Sequence, residues 1–181
     1  MKISTSALLN ELKERTSQHL EYAQTLTLKT EEELNFRNSQ DSWSVLECLE
    51  HLNRYGDFYI PEITNRTDAP KIPTKDIFKP GILGNYFAKS MLPKENLNKM
   101  KTLKIMNPIY SQLNKTVIER FTSQQKQLLS LLEKAQNIDL ERTKTSISIS
   151  KLIKLKLGDT FRFVIYHNTR HIEQIHKILN S

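Results

Sequence analysis

FRFVIYHNTRHIEQIHKIL, Phe161 to Leu179, decides the fold. Phe161, Val164, Ile165, Ile172, Ile175 and Ile178 recur at the helical period and mark one buried stripe. His167 and His171, four residues apart, stand on or beside that stripe, about one turn from each other. Two imidazoles so placed can take adjacent positions around one divalent metal. A single inward histidine is more simply a core histidine bonded to a carbonyl, and H-x-x-x-H by itself leaves both readings open. The glutamate of a zinc-protease helix is missing, since Asn168 follows His167.

Three further amphipathic segments accompany this one. The first helix is expected from Ser4 or Thr5 to Thr27, with Leu8, Leu9, Leu12, Thr16, Leu20 and Ala23 inward. His19, near that stripe, reads as a hydrogen-bonded core or boundary histidine. From Lys29 to Asp41 the pattern breaks into a turn-rich connection in which Thr30–Glu33 makes a short turn of its own. Ser44 and Glu47 then form an S-x-x-E capping box, with Trp43 before it as the apolar staple. The second helix runs from Val45 to about Tyr59, or through Pro61 to Asn65. Cys48, His51, Tyr55 and Phe58 share one of its lines. Cys48 reads as a buried thiol. Asn107-Pro108 marks the start of a third helix, on which Ile109, Leu113, Val117, Phe121 and Leu128 keep period to about Gln136. Asp159 or Thr160 stands near the cap of the last helix.

Two connectors are long. Residues 66–107 carry Pro70, Pro73, Pro80 and Pro93, with a short helix expected in GILGNYFAKSML, 81–92. Residues 137–159 contain the alternating tract TSISIS, an extended piece, and then KLIKLKLGD, a short strand or an exposed helical turn. Four long amphipathic segments predict an all-α four-helix bundle in one domain, 1–181. The short first link makes helices one and two antiparallel. The long second link crosses the bundle and lets helix three run parallel to helix two, an up-down-down-up order.

Composition narrows the function. The chain has 181 residues with only 4 glycines, and no apolar run approaches a membrane span. The first residues turn polar before a signal-peptide core forms. Cys48 is the only cysteine, which excludes an internal disulfide and suits a reducing cytoplasm. Of the net charge of +7, most sits between Lys71 and Lys104, where eight lysines face Asp76 and Glu95. No arginine-rich helix or aromatic-basic strand accompanies them, so a solvated basic crossover is favoured over nucleic-acid binding.

His51 is the natural third ligand for His167 and His171. Three neutral imidazoles leave a divalent ion its full charge and an open position. Glu47, one turn before His51, either caps its helix or holds a ligating imidazole. Tyr55, Asn168, Arg170 and Gln174 are candidate pocket or second-layer groups. A di-iron carboxylate site would need paired E-x-x-H motifs, and Glu173–His176 supplies one only.

WSVLECLEHL around His51 and YHNTRHIEQI around His167 and His171 resemble the second- and last-helix motifs of the DinB-like superfamily, the DinB/YfiT-like metal-dependent hydrolases. The similarity runs over nearly the whole chain. It implies the up-down-down-up bundle, a bacterial protein, His51, His167 and His171 as the metal triad, and nickel, zinc or another divalent ion. It also implies hydrolysis, or thiol-dependent S-transfer with a small thiol such as bacillithiol or mycothiol. The long basic crossover departs from the family pattern. The other function class is a non-catalytic interaction protein, with a structural or vestigial metal and the basic segment meeting an acidic partner. A homodimer is compatible with either.

Overall fold

The computed structural model describes residues 2–69, 73–93 and 102–180. Lys71, Lys94, Glu95, Lys99 and Lys101, much of the basic crossover, lie outside the described residues. Four long helices carry the structure: α1 (Thr5–Leu26), α3 (Val45–Thr67), α5 (Thr116–Ala135) and α6 (Leu157–Leu179). Between the first two lies α2 (Glu31–Asn35), closed by a Thr30–Glu33 capping box. The Ser44–Glu47 box opens α3, where such a cap contributes about 1 kcal/mol. That helix passes through Pro61 and ends at Thr67, with Ile60 and Ile63 buried on either side of the proline.

The four helices occupy corners in the cyclic order α1, α5, α3, α6. Cross-helix contacts give their directions. Lys13 meets Glu133 while Lys115 meets Thr27, so α1 and α5 are antiparallel. Asn53 meets Val117 while Asp68 meets Lys134, so α3 and α5 are parallel. His51 meets His167 while Tyr59 meets Phe163, so α3 and α6 are antiparallel. This is the expected up-down-down-up order. The first two long helices, although joined by a short link, stand at opposite corners.

Helix α5 starts at Thr116, not after Asn107-Pro108. Tyr110 adopts φ 64°, which no helix continues through. Asn107 Oδ1 accepts from Trp43 Nε1 and from Ile109 N, forming a local turn instead of a cap. Helix α6 begins earlier than expected, at Leu157, because Leu157 N and Gly158 N donate to Thr143 O and Leu140 O. Asp159 therefore lies inside the helix, where it meets the crossover.

That crossover contains β2 (Ile77–Phe78), paired antiparallel with β1 (Ile3–Ser4), and α4 (Ile82–Met91). Gly84 lets α4 approach α6 closely, since a Cβ there would lie 2.5 Å from Asp159 Oδ2. The second connector is a hairpin of β3 (Lys144–Ile147) and β4 (Ser150–Lys156), its register shifted between Ser146 and Ile147. These two short ladders are additions to a helical bundle. No helix among the described residues is long and apolar enough to cross a membrane.

Two apolar clusters fill the bundle. One gathers Leu8, Leu9, Leu12, Tyr59, Ile63, Leu128, Leu132, Phe161 and Ile165. The other gathers Ala23, Leu49, Leu52, Val117, Phe121, Ile172 and Ile175. In sequence each long helix crosses from one cluster to the other through buried polar residues. These are His19 on α1, His51 and Asn53 on α3, Gln124 and Gln125 on α5, and His167, Asn168 and His171 on α6. The candidate site belongs to this polar layer.

Candidate metal centre

The polar layer brings His51, His167 and His171 together, all buried. His51 Nε2 lies 3.2 Å from His167 Nε2, and His171 Nε2 lies 3.1 Å from the same atom. The three ligand nitrogens lie within 4.8 Å of one another.

The outer ring atoms fix the protons. His51 Nδ1 donates to Met106 O at 2.7 Å, and His171 Nδ1 donates to Gln174 Oε1 at 2.9 Å. Both neutral rings therefore direct a lone pair from Nε2 toward His167 Nε2. A neutral His167 carries one proton and cannot give a full hydrogen bond to both lone pairs. One divalent cation would accept a lone pair from each of the three nitrogens. Ligand distances of about 2.0–2.1 Å space imidazole nitrogens roughly 2.9–3.4 Å apart from octahedral to tetrahedral geometry; the two contacts to His167 match, and the widest spacing, within 4.8 Å, would have to close to share one ion.

Electrostatics favour lone pairs over protons. Burial pushes His51 to about 4 from the ordinary 6.5, with Arg54 adding to the fall and the Met106 carbonyl opposing it. Burial takes His171 to about 3, helped by His51 and Arg170 against the Gln174 bond. His167 is lowered well below the ordinary value by burial, then by His171, His51 and Arg170. All three rings are neutral at pH 7, as ligands must be.

The other named residues divide. Gln174 holds His171, and Tyr55 packs 4.7 Å from His167 and 5.0 Å from His51, centroid to centroid. Asn168 donates to Gln125 Oε1, and Arg170 is buried nearby. Glu47 caps: it accepts from Ser44 N, Tyr110 N and, through both oxygens, Arg37, and no hydrogen bond joins it to His51. His19 donates to Thr169 Oγ1, whose own hydroxyl is given to Ile165 O. Glu173 is exposed, and His176 packs on Tyr22, so that E-x-x-H stays apart from the cluster.

Sequence reasoning missed the supports. Trp43 does more than staple the helix: its ring lies 4.7 Å from His51 and 5.7 Å from His171. Arg54 Nη1 clips Ile105 O and Asn107 O, which brings the Met106 carbonyl onto His51. Arg37 stacks on Tyr110 while pairing with Glu47. The only signal for any of these was the capping box beside a lone tryptophan.

A four-helix bundle with three buried, convergent imidazoles defines a class of candidate metalloprotein. Residues 8–175 match the DinB superfamily, and the chain belongs to it. Among solved structures it is similar to YfiT from Bacillus subtilis, described as a probable metal-dependent hydrolase with an unusual four-helix bundle topology. Identity is 13% and the TM-score 0.56, over 97% of this chain and 86% of that one, a likeness of fold. No curated protein matches the sequence.

Proposed function

We propose that His51, His167 and His171 hold one divalent ion, nickel or zinc, in a cytoplasmic metal-dependent enzyme. Its reaction is hydrolysis or S-transfer from a low-molecular-weight thiol. The observation that carries this reading is the meeting of three buried Nε2 atoms with too few protons to satisfy them. A divalent ion there supplies Lewis acidity, strengthening water or a thiol as an acid and polarising a carbonyl.

The chain's own residues orient and exclude. The Met106 carbonyl and the Gln174 amide hold two imidazoles with their lone pairs inward. Trp43 and Tyr55 wall the site with aromatic surface. Among the described residues no general base is evident: both oxygens of Glu47 are engaged by Arg37. A thiol needs less help to ionise than water, so this favours transfer over hydrolysis.

Elemental analysis of protein made without a histidine tag tests the site. About one ion per chain is expected, falling below about 0.1 in His51→Ala, His167→Ala and His171→Ala. Trp43, the one tryptophan, should lose fluorescence as Ni²⁺ is titrated into metal-free protein, and keep it in the variants. Metal content indifferent to these substitutions would sink the reading. Electrophile panels with and without a small thiol then separate transfer from hydrolysis.

A further inference from the structure

The metal centre continues outward as a ladder of rings. Tyr55 packs edge-on to His167 at 4.7 Å, and Phe163 stacks on His167 at 5.9 Å with 21° between planes. Tyr55 and Phe163 lie 6.4 Å apart. Phe87 of α4 follows 6.5 Å beyond Phe163, and Tyr86 follows 5.8 Å beyond Phe87. Three elements contribute: α3 gives Tyr55, α6 gives Phe163 one turn before His167, and the crossover gives Phe87.

Tyr55 and Phe163 pack against the apolar core, Phe163 meeting the buried Tyr59 at 5.6 Å, but their exposure sets them apart from its fully buried rings. Phe78, Phe121 and Phe161 are fully buried. Tyr55, Phe163 and Phe87 are only half-buried, and Tyr86 is exposed. Half-covered rings in line with a buried polar centre offer flat apolar surface to a visitor. Among the described residues their faces are not taken by cations. The cation–π contacts found among the described residues fall on Tyr166 and Tyr110, with Arg15, Arg162 and Arg37. Recognition along the ladder therefore rests on stacking and apolar area.

We infer that the substrate is a small molecule with an aromatic body, which lies on Phe163 and Phe87 while its reacting end meets the three imidazoles. The position of the reacting end rests on the metal reading; the ladder itself does not.

A matched pair of ligands tests the ladder in the full-length, metal-loaded protein. Benzohydroxamate and acetohydroxamate share a metal-binding head and differ by the aryl ring. Titration followed by Trp43 fluorescence or calorimetry should show the aryl compound binding about 10- to 50-fold more tightly. Phe163→Leu keeps most of the apolar volume and removes the ring face. It should cut that preference to about 3-fold or less, with acetohydroxamate affinity unchanged to within about 2-fold. Phe87→Leu should fall between. Equal affinities in the wild type, or a preference that survives Phe163→Leu, would overturn the inference. If elemental analysis finds no metal, the functional reading fails separately. Titrating 2-naphthol into metal-free protein then decides: binding weakened by Phe163→Leu upholds the ladder, and binding absent or indifferent to Phe163→Leu overturns it.

Discussion

Helix α6 buries two polar groups of side chains, Asp159 with Arg162 near its start and His167 with His171 two turns later. The first pair is largely answered from its surroundings, with Arg162 Nε the one buried atom of the two side chains left without a hydrogen bond. Asp159 accepts from Gly81 N at 2.7 Å and Arg162 Nη1 at 3.0 Å, and Arg162 Nη2 donates to Asn85 Oδ1 at 3.1 Å. It also sits in the first turn, where the helix dipole favours a carboxylate. The result is a joint holding the crossover on α6. The histidines differ in kind. The outer nitrogens of His51 and His171 are satisfied, and their inner ones both face His167 Nε2 with too few protons to go round. Burial of a polar group thus marks a joint when the lone pairs are answered, and a site when they converge unanswered.

The sharpest way to break this contrast is to remove one member of each. Burial raises the pKa of Asp159 although Gly81 N and Arg162 pull it down, so desolvation outweighs pairing. Asp159→Ala would leave the Arg162 charge buried, and should cost about 3–5 kcal/mol in urea unfolding while metal content holds. His171→Leu should do the reverse. Metal is lost, and the metal-free protein stays within about 1 kcal/mol of the wild type, because an apolar group replaces unsatisfied nitrogens. Loss of metal with intact stability in Asp159→Ala would merge the two classes.

Acid sharpens the contrast further. His51 at about 4, and His171 and His19 each at about 3, refuse protons chiefly through burial, while the unfolded chain accepts them near the ordinary 6.5. The unfolded state therefore binds more protons below pH 6.5, and stability falls as pH falls from there toward about 4. Above 6.5 these groups contribute no slope. Each buried histidine should cost about 1.4 kcal/mol per pH unit inside the window. Urea unfolding of chelator-treated protein at pH 7.5 and 5.5 measures it. A flat response would show the imidazoles to be more exposed than their packing implies.

The bundle was legible because its evidence is local. The stripe on Phe161–Leu179, the Ser44–Glu47 box and the spacing of His167 and His171 need no distant partner. The start of α5 was not legible. Asn107 answers Trp43, and Tyr110 N answers Glu47, across more than sixty residues. Loop length gave the direction of α3 relative to α1 but not their opposite corners, which depend on how four faces share one core. Within the site, the histidines showed because ligand spacing on one helix is a sequence property. Met106, Trp43 and Phe87 did not, since a carbonyl, a staple and a crossover ring acquire meaning only when packing delivers them.

Gln174 gives the smallest predicted effect and tests the tautomer directly. It lies three residues beyond His171 and receives the Nδ1 proton at 2.9 Å, which leaves Nε2 free to face inward. Removing that acceptor leaves the imidazole intact but lets the proton move to Nε2, where it blocks the lone pair. Gln174→Ala should therefore weaken metal binding about 10-fold, the low end for an outer partner of a ligating histidine. Gln174→Glu keeps an acceptor there and should restore binding to within about 3-fold of the wild type. Competition with a chromophoric chelator reads both. The Met106 carbonyl performs the same service for His51 from the backbone, beyond the reach of side-chain substitution, so Gln174 is where the orientation of these rings can be changed one atom at a time.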